Sequence, residues 1–237
     1  MPNKKPAKAK VRQASAQDFE QVYPILRQLN DTRLSKSDWQ QLFINHWQDS
    51  EFCPGYLLET TEKRVVGFMG TLYSNRKFNN ENYRLCNLTS WVVEPEYRSS
   101  SIMLLLPLLK QKQVTFTSLT SSTEAYAVYN KLGFQDLEQT AFVLYPIPSF
   151  ASTSFAIETD TNEFKGYLTE EECQVLSQHQ GFHCKAVLVR NESHHSLLII
   201  ECKRGRGYIH YASDKTFMSR HITQFQRCLI KKLGLKT

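Results

Sequence analysis

The stretch Pro95–Lys110, "PEYRSSSIMLLLPLLK", decides how this sequence is interpreted. It follows an apolar run that ends at Val93 and is typical of a buried strand. Arg98 and three serines come next, and the apolar residues after them favour a helix. A strand, a tight polar turn and a helix N-terminus commonly bind phosphate, because the first helical turn presents unpaired backbone N–H groups. Such turns usually carry glycine, and this one has none, so the serines could equally be a simple helix cap.

The composition is that of an ordinary globular protein. The 237 residues suffice for one large domain or two small ones, and 41% are hydrophobic and 22% charged. No stretch approaches the roughly 20 apolar residues of a membrane span, and no apolar segment follows the basic N-terminus as a secretory signal would require. The six cysteines lack zinc-ligand spacing. We therefore expect a cytoplasmic protein with reduced thiols, no membrane span and no metal site.

The net charge of +6 is concentrated at the N-terminus. Four lysines in "MPNKKPAKAK" leave only +2 for the rest of the chain. We therefore predict a disordered basic tail over residues 1–9. A broad nucleic-acid-binding surface is disfavoured, and nucleic acid is the weakest candidate partner.

Between residues 10 and 147 the pattern predicts one strand, two helices, three strands, a helix, a strand, a helix and a last strand over 139–147. Pro24 should kink the first helix, and Ser37 should cap the second. Residues 149–166 are polar and turn-rich and are predicted to be a linker. Residues 167–237 predict a C-terminal α/β region with a helix after Thr169, a hairpin, a further strand and a basic amphipathic helix.

Two stretches in this order resemble the GCN5-related N-acetyltransferase (GNAT) family. The first, "VVEPEYRSSSIM", keeps the family's V-x-P-x-[YF]-R segment with Val93, Pro95, Tyr97 and Arg98. The family's next loop, [RQ]-x-x-G-x-[GA], binds the pyrophosphate of acetyl-coenzyme A. Here Ser101 replaces its first glycine and Met103 its small residue, so the loop is degenerate.

The second stretch, "STEAYAVYNKLGF", resembles the family's N-x-x-A-x-x-x-Y-x-K-x-G-F helix, and only Ser122 departs from it. The resemblance covers residues 10–148. It implies the α/β (α+β) class, with a GNAT-like mixed central sheet flanked by helices. The C-terminal region would extend this fold, and its hairpin is compatible with a partial second GNAT-like unit.

The resemblance implies an acyl-CoA-dependent N-acyltransferase in which an amine attacks the thioester of acetyl-CoA or another acyl-CoA directly. Tyr129 would be the general acid near the sulfur, with Tyr126 a weaker candidate. The implied cofactor-binding residues are Trp91, Val92, Val93, Arg98, Ser99, Ser100, Ser101, Ile102, Met103 and Ser122. The acceptor would be a small-molecule or peptide amine, and a homodimer is compatible with the C-terminal region.

The general base is not predicted. Many relatives carry a carboxylate on the strand before the cofactor loop, but residues 85–91 contain none, and Glu94 and Glu96 should be solvated turn residues. The missing glycines and Met103 also favour an alternative, a catalytically inactive GNAT-like binding or regulatory module. The two hypotheses differ at Tyr129. A hydroxyl at an open groove favours the enzyme, and one packed in the core favours the binding module.

Overall fold

The computed structural model describes residues 7–46, 51–78, 81–137 and 155–235. The chain forms two compact units, Met1–Leu137 and Glu138–Thr237, called here the N-terminal and C-terminal units. The five strands of the N-terminal unit are β1 (Ala9–Gln13), β2 (Gly55–Thr60), β3 (Val65–Phe78), β4 (Glu81–Val93) and β5 (Val114–Thr117). They form one sheet in chain order, in which β1 to β4 are antiparallel and β5 runs parallel to β4. The mixed sheet predicted from the sequence is confirmed.

Four α-helices accompany this sheet: α1 (Phe19–Leu26), α2 (Lys36–Gln40), α3 (Leu106–Leu109) and α4 (Thr123–Lys131). α1 contains Pro24, and beyond Leu26 the chain tightens into a 3-10 turn. α2 is capped by Ser35, so the predicted Ser37 cap is wrong. Ser35 accepts the N–H of Asp38 at 3.2 Å, and Asp38 accepts the N–H of Ser35 at 2.8 Å. This reciprocal capping box satisfies two backbone donors at once, which fixes the start of the helix.

The segment after β4 departs most from the sequence prediction. The expected α-helix is replaced by a ten-residue 3-10 helix, Pro95–Leu104, followed by the single turn of α3. Pro107 gives a physical reason, because proline donates no N–H and its ring clashes with the carbonyl four residues earlier. The 3-10 segment still buries Tyr97 and Leu104, so the apolar pattern is used in a different helical form.

The core lies on both faces of the sheet, because neighbouring strand residues point to opposite sides. Leu57 and Phe68 pack with α1 and α2. Leu58 and Met69 pack on the other face, with the 3-10 helix, α3 and α4.

Strand β4 bulges against β3. Phe68 pairs with Val92 and Gly70 with Thr89, so two residues of β4 lie opposite one of β3. A glycine of β3 accommodates β4 on either side of the bulge. A Cβ at Gly67 would lie 2.9 Å from Val93, and one at Gly70 would lie 2.9 Å from Thr89. The bulge therefore has side chains of β4 seated where β3 has none.

The C-terminal unit contains a second, antiparallel sheet. Its elements are β6 (Ala156–Glu158), α5 (Glu170–Gln178), β7 (Cys184–Arg190), β8 (His195–Lys203), β9 (Arg206–Ala212) and α6 (Lys215–Leu233). The strands lie in chain order, as β1 to β4 do, with one helix between the first two strands where the N-terminal unit has two. α6 packs on one face, and Phe164 and Leu197 form a smaller cluster. This topology repeats the first half of the N-terminal unit.

The predicted linker 149–166 is wrong over its second part. β6 and a 3-10 segment, Thr161–Phe164, lie inside it, and Ile157 and Phe164 are buried. Two isolated apolar residues thus anchor a segment whose composition looked polar. The predicted strand at 139–147, the predicted boundary at 148 and residues 1–6 of the predicted tail lie outside the described residues. Within the described ranges, no helix is long and apolar enough to cross a bilayer.

A buried carboxylate ties the entry of α1 to the sheet. Asp18, 7% exposed, accepts from the Arg12 guanidinium at 2.7 Å and from the Ser15 N–H at 2.7 Å. Arg12 also donates to Glu59 at 3.0 Å. The hydrogen bond from Arg12, with those from Ser15, lowers the pKa of Asp18 to about 2. The ionised carboxylate is therefore the form that the fold stabilises.

We expect Asp18→Asn to destabilise the N-terminal unit by about 2 kcal/mol at pH 7. The folded pKa lies below the unfolded value of about 3.9, so this contribution is present above pH 4 and disappears as the pH falls toward 2. Urea unfolding followed by tryptophan fluorescence measures it, since all three tryptophans lie in this unit: Trp39, Trp47 and Trp91. Asp160→Asn, in the other unit, is the control and should leave this transition unchanged. A difference between wild type and Asp18→Asn that is independent of pH would contradict the assignment.

Candidate active site

The N-terminal unit contains a cavity of about 470 Å³ beside the second half of β4. Three walls enclose it: the strand itself, the hydroxyl-rich turn from β5 into α4, and the segment that follows α1. The lining residues are Leu88, Thr89, Ser90 and Trp91; Ser118, Thr120, Ser121, Ser122, Ala125 and Tyr129; and Leu29, Asp31, Arg33, Leu34, Asp38, Trp39 and Leu42.

The cavity exists because β4 and β5 diverge. Their parallel pairing spans only Arg84–Asn87 of β4 and Val114–Thr117 of β5. The Asn87 side-chain oxygen accepts from the Thr117 hydroxyl and from the Leu119 N–H, each at 3.3 Å, so the chain turns away at this point. Within the described residues, no strand pairs with this side of β4 beyond Asn87. Its backbone polar groups there are therefore available to a ligand.

The bulge of β4 lies in the cavity wall. Ser90 adopts φ of 52°, in the left-handed region that side-chain-bearing residues rarely occupy. Such a conformation costs on the order of 1 kcal/mol and is retained only where surrounding contacts enforce it. The strain coincides with the open edge of the strand, which is the pattern of a functional site.

Tyr129 belongs to both the core and the cavity. Its ring packs against Trp91 at 5.5 Å and Phe134 at 4.9 Å between centroids, and the residue is only 4% exposed. It nevertheless lines the cavity. Burial raises the pKa of Tyr129 to about 12, with a hydrogen bond from Ser118 acting in the opposite direction. The phenol therefore keeps its proton at physiological pH.

Tyr126, the weaker candidate, lies elsewhere. Its side chain is exposed and its hydroxyl donates to Asp136 at 3.1 Å. It does not line the cavity.

The predicted cofactor residues separate into groups. Trp91 and Ser122 line the cavity with Tyr129, and Ser122 also caps α4 by accepting the N–H of Ala125 at 3.2 Å. Val93 is buried in the cluster that contains Tyr129, and Val92 packs against the cluster on the other face.

Residues 98–103, from Arg98 to Met103, lie outside the cavity lining. The interior of a 3-10 helix engages its N–H groups with carbonyls three residues earlier, so the serines are not the open first turn assumed from the sequence. Their hydroxyls remain as donors. Met103 packs against the apolar core. Phosphate binding by this segment stays a prediction.

Arg98 lies within electrostatic reach of the start of α4. The pKa of Glu124 is lowered by a hydrogen bond from its own backbone N–H, then by Ser122 and by the charge of Arg98. The exposed guanidinium therefore lies near the helix start that borders the cavity.

Three charged cavity residues were not predicted: Asp31, Arg33 and Asp38. The capping-box spacing of Ser35 and Asp38 predicts a helix start, but nothing local indicates that the carboxylate will line a cavity. The two carboxylates near the exit of β4 are not part of the site. Glu94 accepts from Arg64 at 2.7 Å through both oxygens, so it is ion-paired rather than simply solvated, and Glu96 is exposed.

One buried donor in the wall lacks a partner. Within the described residues, Trp91 Nε1 is buried and has no hydrogen-bond acceptor. Leaving such a group unsatisfied costs about 1–3 kcal/mol. The described residues also contain no group of three or more His, Cys, Asp and Glu side chains placed to hold a metal ion.

Comparison with solved structures identifies the architecture. A GCN5-related N-acetyltransferase from Anabaena variabilis ATCC 29413 aligns over 96% of this chain and 64% of its own, with a TM-score of 0.56 at 14% identity. The chain has the GNAT fold. Neither a protein-family model nor a curated protein matches the sequence.

Two further GNAT-fold alignments are similar in extent. A conserved protein of unknown function from Enterococcus faecalis V583 has a TM-score of 0.61 at 13% identity, over 96% of this chain and 63% of its own. A Pyrococcus horikoshii protein assigned as an acetyltransferase has a TM-score of 0.56 at 14% identity, over 100% and 80%. At these identities the likeness establishes the fold alone. Because the alignments span nearly the whole chain, they include the C-terminal unit.

We expect Ser90→Gly to be more stable than Ser90→Ala by about 1 kcal/mol, because glycine adopts the left-handed conformation without a Cβ penalty. Urea unfolding followed by tryptophan fluorescence measures the difference. The matched control is Ala127→Gly in α4, where glycine should instead cost about 1 kcal/mol relative to alanine. Equal stabilities of the two Ser90 variants would show that the bulge holds no strain.

Proposed function

We propose that the N-terminal unit is an N-acyltransferase that moves an acyl group, most simply acetyl, from a coenzyme A thioester to an amine. The observation that carries the proposal is the unpaired second half of β4 beside Tyr129. A strand edge, a protonated phenol and a cavity for a second substrate meet at one place, on a GNAT fold.

The coenzyme would lie along Thr89–Val93. Its arm contains amide groups, which can pair with the backbone groups that β4 exposes where β5 departs. An acceptor atom on this arm would also satisfy the Trp91 indole N–H if it came within reach. Arg98 and the hydroxyls of Ser99–Ser101 supply a positive charge and neutral donors for the phosphates at the far end.

The chemistry is a direct attack. The neutral amine nitrogen bonds to the thioester carbon, the carbon–sulfur bond breaks, the nitrogen loses one proton and the sulfur gains one. Tyr129 is the group that we assign to protonate the departing sulfur, because it lines the cavity and its raised pKa keeps it protonated. A donor with a pKa of about 12 is a weak acid, but it is present in the correct form across the physiological range.

The alternative, a binding module without catalysis, is favoured by the glycine-free 3-10 helix in place of an open phosphate loop. It predicts coenzyme binding without transfer. The two predictions below separate it from the enzyme.

Acetyl-CoA and free CoA should bind the protein in calorimetric titrations, and Arg98→Ala should weaken both by about tenfold, since it removes one charge-assisted contact. Arg206→Ala, which removes an exposed arginine from the C-terminal unit, should leave binding unchanged. No binding of either compound to the parent protein would rule out the coenzyme proposal.

Tyr129→Phe should lower the kcat for thiol release from acetyl-CoA, assayed with a panel of primary amines, by about 100-fold while the Kd for acetyl-CoA is unchanged. Because the pKa of Tyr129 is about 12, the wild-type rate should show no loss from phenol ionisation up to pH 10. Tyr126→Phe is the matched control and should behave as wild type. Coenzyme binding with no thiol release for any amine would favour the binding module instead.

A further inference from the structure

The charges that line the cavity are few and unequal. Asp31, Arg33 and Asp38 are its only lining residues, all within the described part of the chain, that carry a formal charge at neutral pH. Two carboxylates against one guanidinium leave one net negative charge. All three lie on the wall that follows α1, opposite the hydroxyl-rich turn before α4.

The single guanidinium is committed to a neighbour. Arg33 Nε donates to Asp31 Oδ1 at 2.7 Å, and Arg33 Nη2 contacts Asp31 Oδ2, so the two groups meet in a fork. The Arg33 N–H also donates to the same carboxylate at 3.1 Å. A guanidinium held in this way is poorly placed to bind an anionic group of a substrate. Asp38 is therefore the residue that sets the sign of this wall.

The remaining surface suits an organic cation. Trp39, Trp91 and Tyr129 place three aromatic side chains in the lining, and aromatic faces attract ammonium groups. Leu29, Leu34 and Leu42 line the same wall as the carboxylates and can cover methylene groups. Fixed negative charge, aromatic faces and an apolar strip together fit a hydrocarbon chain that ends in an ammonium ion.

We infer that the acceptor is a short aliphatic diamine, whose distal ammonium binds at Asp38 while its other nitrogen reaches the thioester. This inference rests on the proposed N-acyltransferase function. The reacting nitrogen must be neutral to attack, so it cannot keep an interaction that depends on its charge. A second ammonium remains charged throughout, and it accounts for a negatively charged wall on the acceptor side.

Three probes of equal length test the distal group: 1,4-diaminobutane, 1-aminobutane and 4-aminobutanoate. Their kcat/KM for thiol release from acetyl-CoA should fall in that order, with at least a tenfold preference for the diamine over the monoamine. Asp38→Asn should reduce this preference to about one without changing the Kd for acetyl-CoA. Ser35→Ala is the matched control. It weakens the same capping box but keeps the Asp38 charge, so it should retain the preference.

Direct binding gives a readout independent of turnover. Trp39 and Trp91 line the cavity, so 1,4-diaminobutane should change tryptophan fluorescence in the wild type, with about tenfold weaker binding in Asp38→Asn. If acetyl-CoA binds and other amines are acylated without a preference for the diamine, the inference is wrong and the proposed function stands. If the diamine binds through Asp38 but acetyl-CoA does not, the cation site stands and the transferase proposal fails. Equal diamine binding by wild type and Asp38→Asn would overturn the inference.

Discussion

The arrangement of the N-terminal unit depends on how far β4 and β5 remain paired. Four residue pairs hold the two strands together, and the Asn87 side chain then takes hydrogen bonds from the departing chain. A longer β5 would cover the second half of β4 and fill the cavity. A shorter one would remove the support for the turn that leads into α4. The strand edge, the hydroxyl-rich turn and the aromatic wall are therefore consequences of one limited pairing.

The same limit explains why Tyr129 has two environments. α4 packs its inner face on the sheet where the strands have begun to separate, so a ring on that face contacts the core on one side and the cavity on the other. Burial disfavours the ionised phenol. A position at the boundary thus combines a fixed ring with a retained proton, and the two alternatives that the sequence leaves open at this residue are not mutually exclusive.

Much of the fold could be predicted from the sequence, because the elements that were found depend on local signals. α4 follows from the Ser122 cap, and α5 from the Thr169 cap. The 3-10 segment was missed because Pro107 affects residues that precede it, while the apolar pattern alone favours an α-helix. The acidic wall of the cavity could not be predicted. Asp31 and Asp38 reach β4 through tertiary packing, and their local sequence reports only turn and capping chemistry.

The glycines that face the bulge bear on how this site could diversify. Any side chain at Gly67 or Gly70 would press on Val93 or Thr89 and displace β4 from its seat. Substitution there would change the position of the catalytic strand before it changed any contact with an acceptor. The rim residues Leu34 and Leu42 carry no such restriction from the sheet. Acceptor preference can therefore drift among descendants of this chain through the segment after α1, while the coenzyme side stays fixed by two positions that have no side chain at all.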